Sequence, residues 1–191
     1  MLLSLYNIKV GCYCVDKHLL IAMVSLQFFY RKKANAMNKS PITKVESDHE
    51  IIQVKFINVE KNPLFVGNIF RQISSKGVNV DMISQVMLED DMRIDFTCPL
   101  SDQRKLNEAL EEIKRKHDRI MIFQNRNVAK VMVEGEKMKD EIGVAANVFE
   151  IFGQFQIPFS QVTTSDTSIS FVVPGELKEV AVQEIKKAYQ L

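Results

Sequence analysis

Three histidines, three cysteines and two runs of like charge are the residues of this 191-residue chain whose types could bind a metal or attack a substrate. His18, His49 and His117 are scattered with no two at ligand spacing, so they read as satisfied surface histidines. Cys12 and Cys14 form a C-x-C pair without a second pair or a histidine cluster, and Cys98 makes the count odd. Neither a zinc site nor a disulfide framework follows from that spacing. Reduced thiols in a cytoplasmic protein are expected, with Cys98 a buried thiol at a strand end. Glu89, Asp90 and Asp91 lack the alternating oxygen ligands and the glycine of a calcium loop, and a solvated hairpin tip is the reading. Lys114, Arg115 and Lys116 suit the carboxyl end of a helix, where cations meet the dipole, better than a phosphate site. Gly occurs only 7 times, and no G-x-x-x-x-G-K-[ST] or G-x-G-x-x-G stretch is present to cradle a nucleotide. No nucleophile, base and orienting group can be read together. No cofactor and no metal are expected, and no phosphorylation by this chain alone.

The elements that would position any other site follow from composition and periodicity. With 46% hydrophobic and 26% charged residues, the chain suits one medium domain or two small ones. Net charge is +1, but Lys9, Lys17, Arg31, Lys32 and Lys33 against Asp16 alone put +4 on residues 1–38 and leave −3 on the remainder. No basic domain is left to grip nucleic acid. Within residues 1–38, "HLLIAMVSLQFFY" is shorter than the roughly 20 residues needed to cross a bilayer and lacks the basic-first order of a signal peptide. This stretch is expected to be an N-terminal extension, docked on the body or lying upstream of the natural domain, with a membrane anchor as the alternative. "RKKANAMNKSP" then reads as a polar linker.

From Ile42 onward the chain punctuates itself. "EIIQVKFINV" reads as a strand, and "NPLFVGNIFRQISSKG" as a helix with Asn62 as N-cap, Pro63 at the first position, and Phe65, Ile69, Phe70 and Ile73 on one face. "VNVDMISQVML" and "MRIDFTC" form a hairpin around the acidic turn. "SDQRKLNEALEEIKRK" is a helix behind Ser101, with Leu106, Leu110 and Ile113 inward, and "RIMIF" a closing strand. The order is β-α-β-β-α-β, the ferredoxin-like plan of an antiparallel sheet covered on one face by two helices.

That order recurs. "NVAKVMVEG" is a strand, "EIGVAANVFEIFGQF" a helix, "IPFSQVTTS" and "SISFVVP" a hairpin, and "GELKEVAVQEIKKAYQL" a helix with Val182 and Ile185 at turn spacing. Asn68-Ile69-Phe70 aligns with Asn147-Val148-Phe149 at a shift of 79, which points to two copies of one unit. The second copy ends without a fourth strand, whereas the first is preceded by the spare extended segment "PITKVES". Unpaired sheet edges are hazardous, so Ile42–Glu46 is expected to cross over and pair within the second sheet. The expected class is therefore α+β: one unit over residues 39–127, with 41–47 completing the other, and a second over 128–191.

"AKVMVEG" with "GVAANVFEIF", together with "NVDMISQV" and "RIDFTC", resembles the paired ACT domains of the regulatory half of aspartate kinases, over roughly residues 42–191. The resemblance implies regulation rather than chemistry, with homodimerisation through the ACT units and a kinase catalytic domain as a partner. Lysine or threonine is the effector class it implies, and neither nucleic acid nor membrane is an expected partner. A helix that begins just after a strand leaves its first backbone N–H groups free for the carboxylate of a small amino acid. Asn62, Pro63 and Leu64 in the first copy, and Ile142, Gly143 and Val144 in the second, stand at those starts. The resemblance adds the strand positions that follow the helix, Asn79, Val80, Asp81 and Gln85, with Phe159 in the second copy.

This chain departs from the family pattern in two places. Lys61-Asn62-Pro63-Leu64 stands where Asp-Lys-Pro-Gly is common, and Pro158-Phe159 where Asn-Ile is usual. Either the effector is held differently, by Asp81 or Asp140, or the pocket is lost. The reading preferred on these grounds is an amino-acid-sensing module of aspartate kinase, with a dimerisation module that has lost effector binding as the alternative. An independent enzyme on a ferredoxin-like scaffold is the third class.

Overall fold

β1 (Lys44–Asp48) opens the part of the chain that the computed structural model describes, residues 40–191. The expectations for residues 1–38, those for Cys12, Cys14 and His18 among them, lie outside the described residues. β2 (Ile51–Val59), α1 (Pro63–Ser75), β3 (Asp81–Met87), β4 (Met92–Pro99), α2 (Gln103–Lys116) and β5 (Met121–Asn125) follow in order. Ile52, Val54 and Phe56 alternate along β2 into a core shared with Ile69 and Ile73 of α1, Ile94 and Phe96 of β4, and Leu106 and Ile113 of α2. Each of these buried side chains contributes about 1.5–3 kcal/mol relative to exposure. α1 begins as its sequence dictates, at Pro63 behind the Asn62 cap, and the chain leaves it through Gly77 at φ 75, whose N–H donates to the Ser74 carbonyl at 2.9 Å. Cys98 is buried at the end of β4, and burial, then the Asp102 carboxylate, pushes its thiol up to about 11.

Ser101 does not cap α2. Residues Leu100–Asp102 form a 3₁₀ turn that runs directly into the helix, and no side chain caps it. The Asp102 carboxylate, the nearest candidate, instead accepts from Lys105 Nζ at 3.1 Å and from the Asn79 N–H at 3.4 Å.

The second half consists of β6 (Val128–Glu134), α3 (Val144–Gln154), β7 (Gln161–Thr164), β8 (Ser168–Pro174) and α4 (Lys178–Tyr189). α3 starts later than its apolar pattern suggests because Gly143, at φ 92, turns the chain just before it. Its core gathers Val131, Val148, Phe152, Phe171 and Ile185.

Two four-stranded antiparallel sheets result, with orders β3-β4-β2-β5 and β1-β6-β8-β7. β1 holds the place beside β6 that β5 holds beside β2, so the leading strand does complete the second unit. Its pairing runs from Lys44 opposite Glu134 to Asp48 opposite Lys130, two residues further along than Ile42–Glu46. The Thr43 N–H already reaches the Glu134 carbonyl at 2.8 Å, and Ile42 is fully buried in the second core. Gly135 makes the crossing feasible: a Cβ there would lie 1.8 Å from the Pro41 carbonyl oxygen. The two ferredoxin-like units are thus interlocked.

Their helix-free faces meet. Ile51, Met82, Val128 and Val172 form a small buried cluster on the sides of the strands away from the helices. One bulge shapes this seam: the register of β3 against β4 slips between Asp81 and Ser84, and Met82 sits at φ 47. The extra residue frees the Met82 carbonyl from the ladder and aims it across the seam. Among the described residues, no helix is long and apolar enough to cross a membrane.

Candidate functional site

The two helix starts differ in what already occupies their amides. At α1 the Asn62 Oδ1 accepts from the N–H of Leu64 at 2.9 Å and of Phe65 at 3.3 Å, and Pro63 has no N–H to offer. The amides nearest a ligand carboxylate are therefore satisfied from within. Lys61 turns its ammonium to the Glu89 carbonyl, and Leu64, 71% exposed, stands outside.

At α3 the cap is Gly143, which has no side chain to bond the first turn, and the Asn147 N–H reaches the Gly143 carbonyl at 3.0 Å. Ile142 is fully exposed in front of this turn, and Val144 is buried behind it. Burial raises the Tyr189 phenol, with an opposing pull from the Asn147 amide and a further push from the Glu141 carboxylate. The second helix start thus presents backbone donors that no side chain caps.

The strand positions scatter. Asn79 gives its N–H to Asp102, Val80 packs on the first core, and Gln85 is exposed on β3 opposite Ile94. Phe159 joins a ring cluster, with centroids 5.5 Å from Phe149, 6.2 Å from Phe152 and 5.6 Å from Phe171. Asp81 reaches the other unit: its Oδ2 accepts from Lys130 Nζ on β6 at 2.7 Å. Partial burial pushes this carboxyl up, but the Lys130 bond and the Met82 N–H outweigh it and hold the group below its ordinary 3.8.

Among the described residues, no edge-to-edge pairing of strands joins the first sheet to the second. β3 and β7 are outer strands of separate sheets, so a helix start of one unit is not laid against the strand start of the other by sheet pairing. Besides the β1 crossing and the small apolar cluster, a buried polar seam that the sequence reading missed joins the units. Gln53 Nε2 donates to Gln161 Oε1 at 3.2 Å, the Ser160 hydroxyl to Gln53 Oε1 at 3.0 Å, and Gln161 Nε2 to the Met82 carbonyl. Gln53 is 1% and Gln161 4% exposed. No local signal marks them: in "IIQVKF" Gln53 shares its strand face with Lys55, which reads as a solvent face.

The fold and its paired helix starts define a tandem ACT-domain architecture, and the family model for the ACT domain matches residues 131–189. The aspartokinase of Helicobacter pylori is 28% identical over 160 residues, which are 83% of this chain and 39% of that protein. That of Corynebacterium glutamicum is 25% identical over 158 residues, covering 81% of this chain and 38% of that one. The ligand-free regulatory subunit of aspartate kinase from Thermus thermophilus superposes with a TM-score of 0.72 at 24% identity, over 78% of this chain and 99% of that chain. The chain spans about two fifths of the length of the curated relatives it matches. Residues 131–189 match the ACT domain, and the chain as a whole is similar to part of these aspartokinases.

Proposed function

We propose that this chain is an allosteric amino-acid-sensing module of the aspartate-kinase system. It binds a small amino acid such as lysine or threonine where ACT units of two copies meet, and acts on a kinase catalytic domain in the cytoplasm. The observation that supports this most is the start of α3, where Gly143 leaves the first-turn amides without a side-chain cap beside an exposed Ile142. Helix N-termini of this kind attract carboxylates through aligned N–H groups and the helix dipole. Ile142, Gly143 and Val144 are the residues on which the reading relies most.

A dimerisation module that has lost its effector is the second reading, and the first helix start favours it. There Asn62 satisfies the amides, and Leu64 and Lys61 replace the open glycine and the acid.

Titration calorimetry of the full chain with lysine and threonine separates the two. Gly143→Asp would put a carboxylate beside the same amides, and because Gly143 stands at φ 92, where an L side chain is strained, the variant is also expected to melt below the wild type. The sensing reading expects heat from the wild type and none from this variant at unchanged circular dichroism. Equal silence from both proteins, with dimers in sedimentation, favours the second reading.

A further inference from the structure

We infer that the outer layer of the first unit carries an oxyanion site, a cleft between α1 and the end of α2 in which Arg71, Lys116 and His117 hold the phosphate group of a small molecule. The inference goes beyond amino-acid sensing and does not rest on it. The cleft lies on the helices of the first unit, whereas the sensing reading uses the start of α3 in the second.

α1 supplies one wall through its spacing. Arg71, Gln72 and Ser75 follow Asn68 by three, four and seven residues, the stripe of one helical face, while Ile69 and Ile73 turn into the core. Lys116 and His117, where α2 ends, supply the other wall, and the cleft between them measures about 410 Å³. No carboxylate lines it. Ser75 gives its hydroxyl proton to the Gln72 carbonyl at 2.8 Å, which leaves the guanidinium, the ammonium, the imidazole and two side-chain amides to meet a ligand.

The protein does not neutralise these cations itself. Glu112, whose carboxyl feels the charge of Lys116, is already bonded by Lys76 of α1. Among the described residues, neither Arg71 nor Lys116 forms an ion pair. His117 is held in place: its N–H donates to the Ile113 carbonyl at 2.9 Å, and its ring stands edge-on to Phe65 with centroids 4.8 Å apart. An imidazole fixed beforehand costs less to order when a ligand arrives.

Phosphate is the group that suits this lining. A guanidinium offers two parallel N–H donors to two oxygens of one anion, and an ammonium adds a charge that needs no fixed direction. By itself the run Lys114 to Lys116 suits a helix end, where cations meet the carbonyl dipole. The fold changes that reading because it brings Arg71 of α1 to the same place, so that Lys114 and Arg115 offset the dipole while Lys116 faces the cleft. A bound dianion joins α1 to α2 on the outer layer, as the Lys76–Glu112 pair already does, and so stabilises the first unit.

Thermal melting and calorimetry of the full chain test this with sodium phosphate, sodium pyrophosphate, glycerol 3-phosphate and trisodium citrate, against sodium chloride at matched ionic strength. The inference expects the phosphate probes to raise the melting temperature above the chloride control. Arg71→Gln and Lys116→Gln, both at exposed helix positions, should keep the wild-type circular dichroism. Each should bind the phosphate probes about fivefold more weakly, the factor that an exposed ion pair at the top of its range contributes. The double variant should not respond, and Lys139→Gln, which removes a cation outside the cleft, should bind as the wild type does. Tightest binding of glycerol 3-phosphate would mark an organic phosphomonoester as the ligand, and of pyrophosphate a polyphosphate; either result supports the site. Citrate bound as tightly as any phosphate probe would overturn the assignment to phosphate. Equal weakening in Lys139→Gln would show attraction to net charge alone and overturn the site, as would a response no larger than that to chloride.

Discussion

Lys130 Nζ lies 2.7 Å from Asp81 Oδ2 and ties the second unit's first strand to the start of a strand in the first. The pair holds the Asp81 carboxyl below its ordinary 3.8, so the folded state favours the ionised form. A group depressed in this way stabilises the fold above its ordinary pKa, and that contribution disappears as pH falls through the lower folded value. Asp81→Asn is therefore expected to melt about 1–3 °C below the wild type near neutral pH. The gap should close as the pH is taken well below 3.8, and it should shrink in roughly 1 M salt, where the Debye length is about 3 Å. Melting curves of the two proteins across pH check this, and a gap that widens in acid would contradict it.

Gly135→Ala is expected to be the most damaging small substitution in the chain crossing. The added methyl would sit 1.8 Å from the Pro41 carbonyl oxygen and 2.8 Å from its carbon, both backbone atoms that cannot swing aside. Either β1 shifts off β6 or the second sheet distorts, and overpacking of this kind costs about 1–3 kcal/mol or more. Denaturant unfolding measures the loss, and hydrogen exchange should show it concentrated in the amides of β1.

Removal of the Asn62 side chain tests whether the first helix start is self-capped. Asn62→Ala deletes the acceptor for the Leu64 and Phe65 N–H groups and should lower stability by about 1 kcal/mol. The freed amides should also acquire a weak affinity for carboxylates that the wild-type helix start lacks, which acetate titration followed by amide NMR shifts would report.

The glutamine seam should behave as a coupled unit. Gln161→Leu strands the Gln53 amide and the Met82 carbonyl in a buried place, and each unsatisfied group costs about 1–3 kcal/mol. Gln53→Leu alone should be similarly harmful, whereas the double variant should lose clearly less than the sum of the two. A double-mutant cycle with a coupling near zero would show that the two amides do not depend on each other.

The order of elements was legible because it is written in periodicities that nothing later overrides. "SISFVVP" is β8 from end to end, and Asn62-Pro63 marks the start of α1 to the residue. The crossing of β1 was legible as an arithmetic of strands, since one copy had a spare and the other a vacancy. The pairing register was not, because Ile42 is held by the second core before the ladder begins. Ser101 looked like a cap only because a 3₁₀ turn gives no apolar signal of its own. The seam was hidden for a related reason. Gln53, Lys130 and Gln161 occupy strand positions that read as a solvent face, and only the meeting of two such faces turns them into partners. At the candidate site, sequence placed the residues at helix and strand starts but could not tell which amides a neighbouring side chain had already claimed.

Thermal melting of the full chain against each of the twenty amino acids bears most directly on the sensing function. Lysine or threonine at about 100 times its dissociation constant should add about 2.7 kcal/mol and raise the melting temperature, while most of the others leave it unchanged. A melting temperature that stays fixed through saturating concentrations of all twenty would contradict the account.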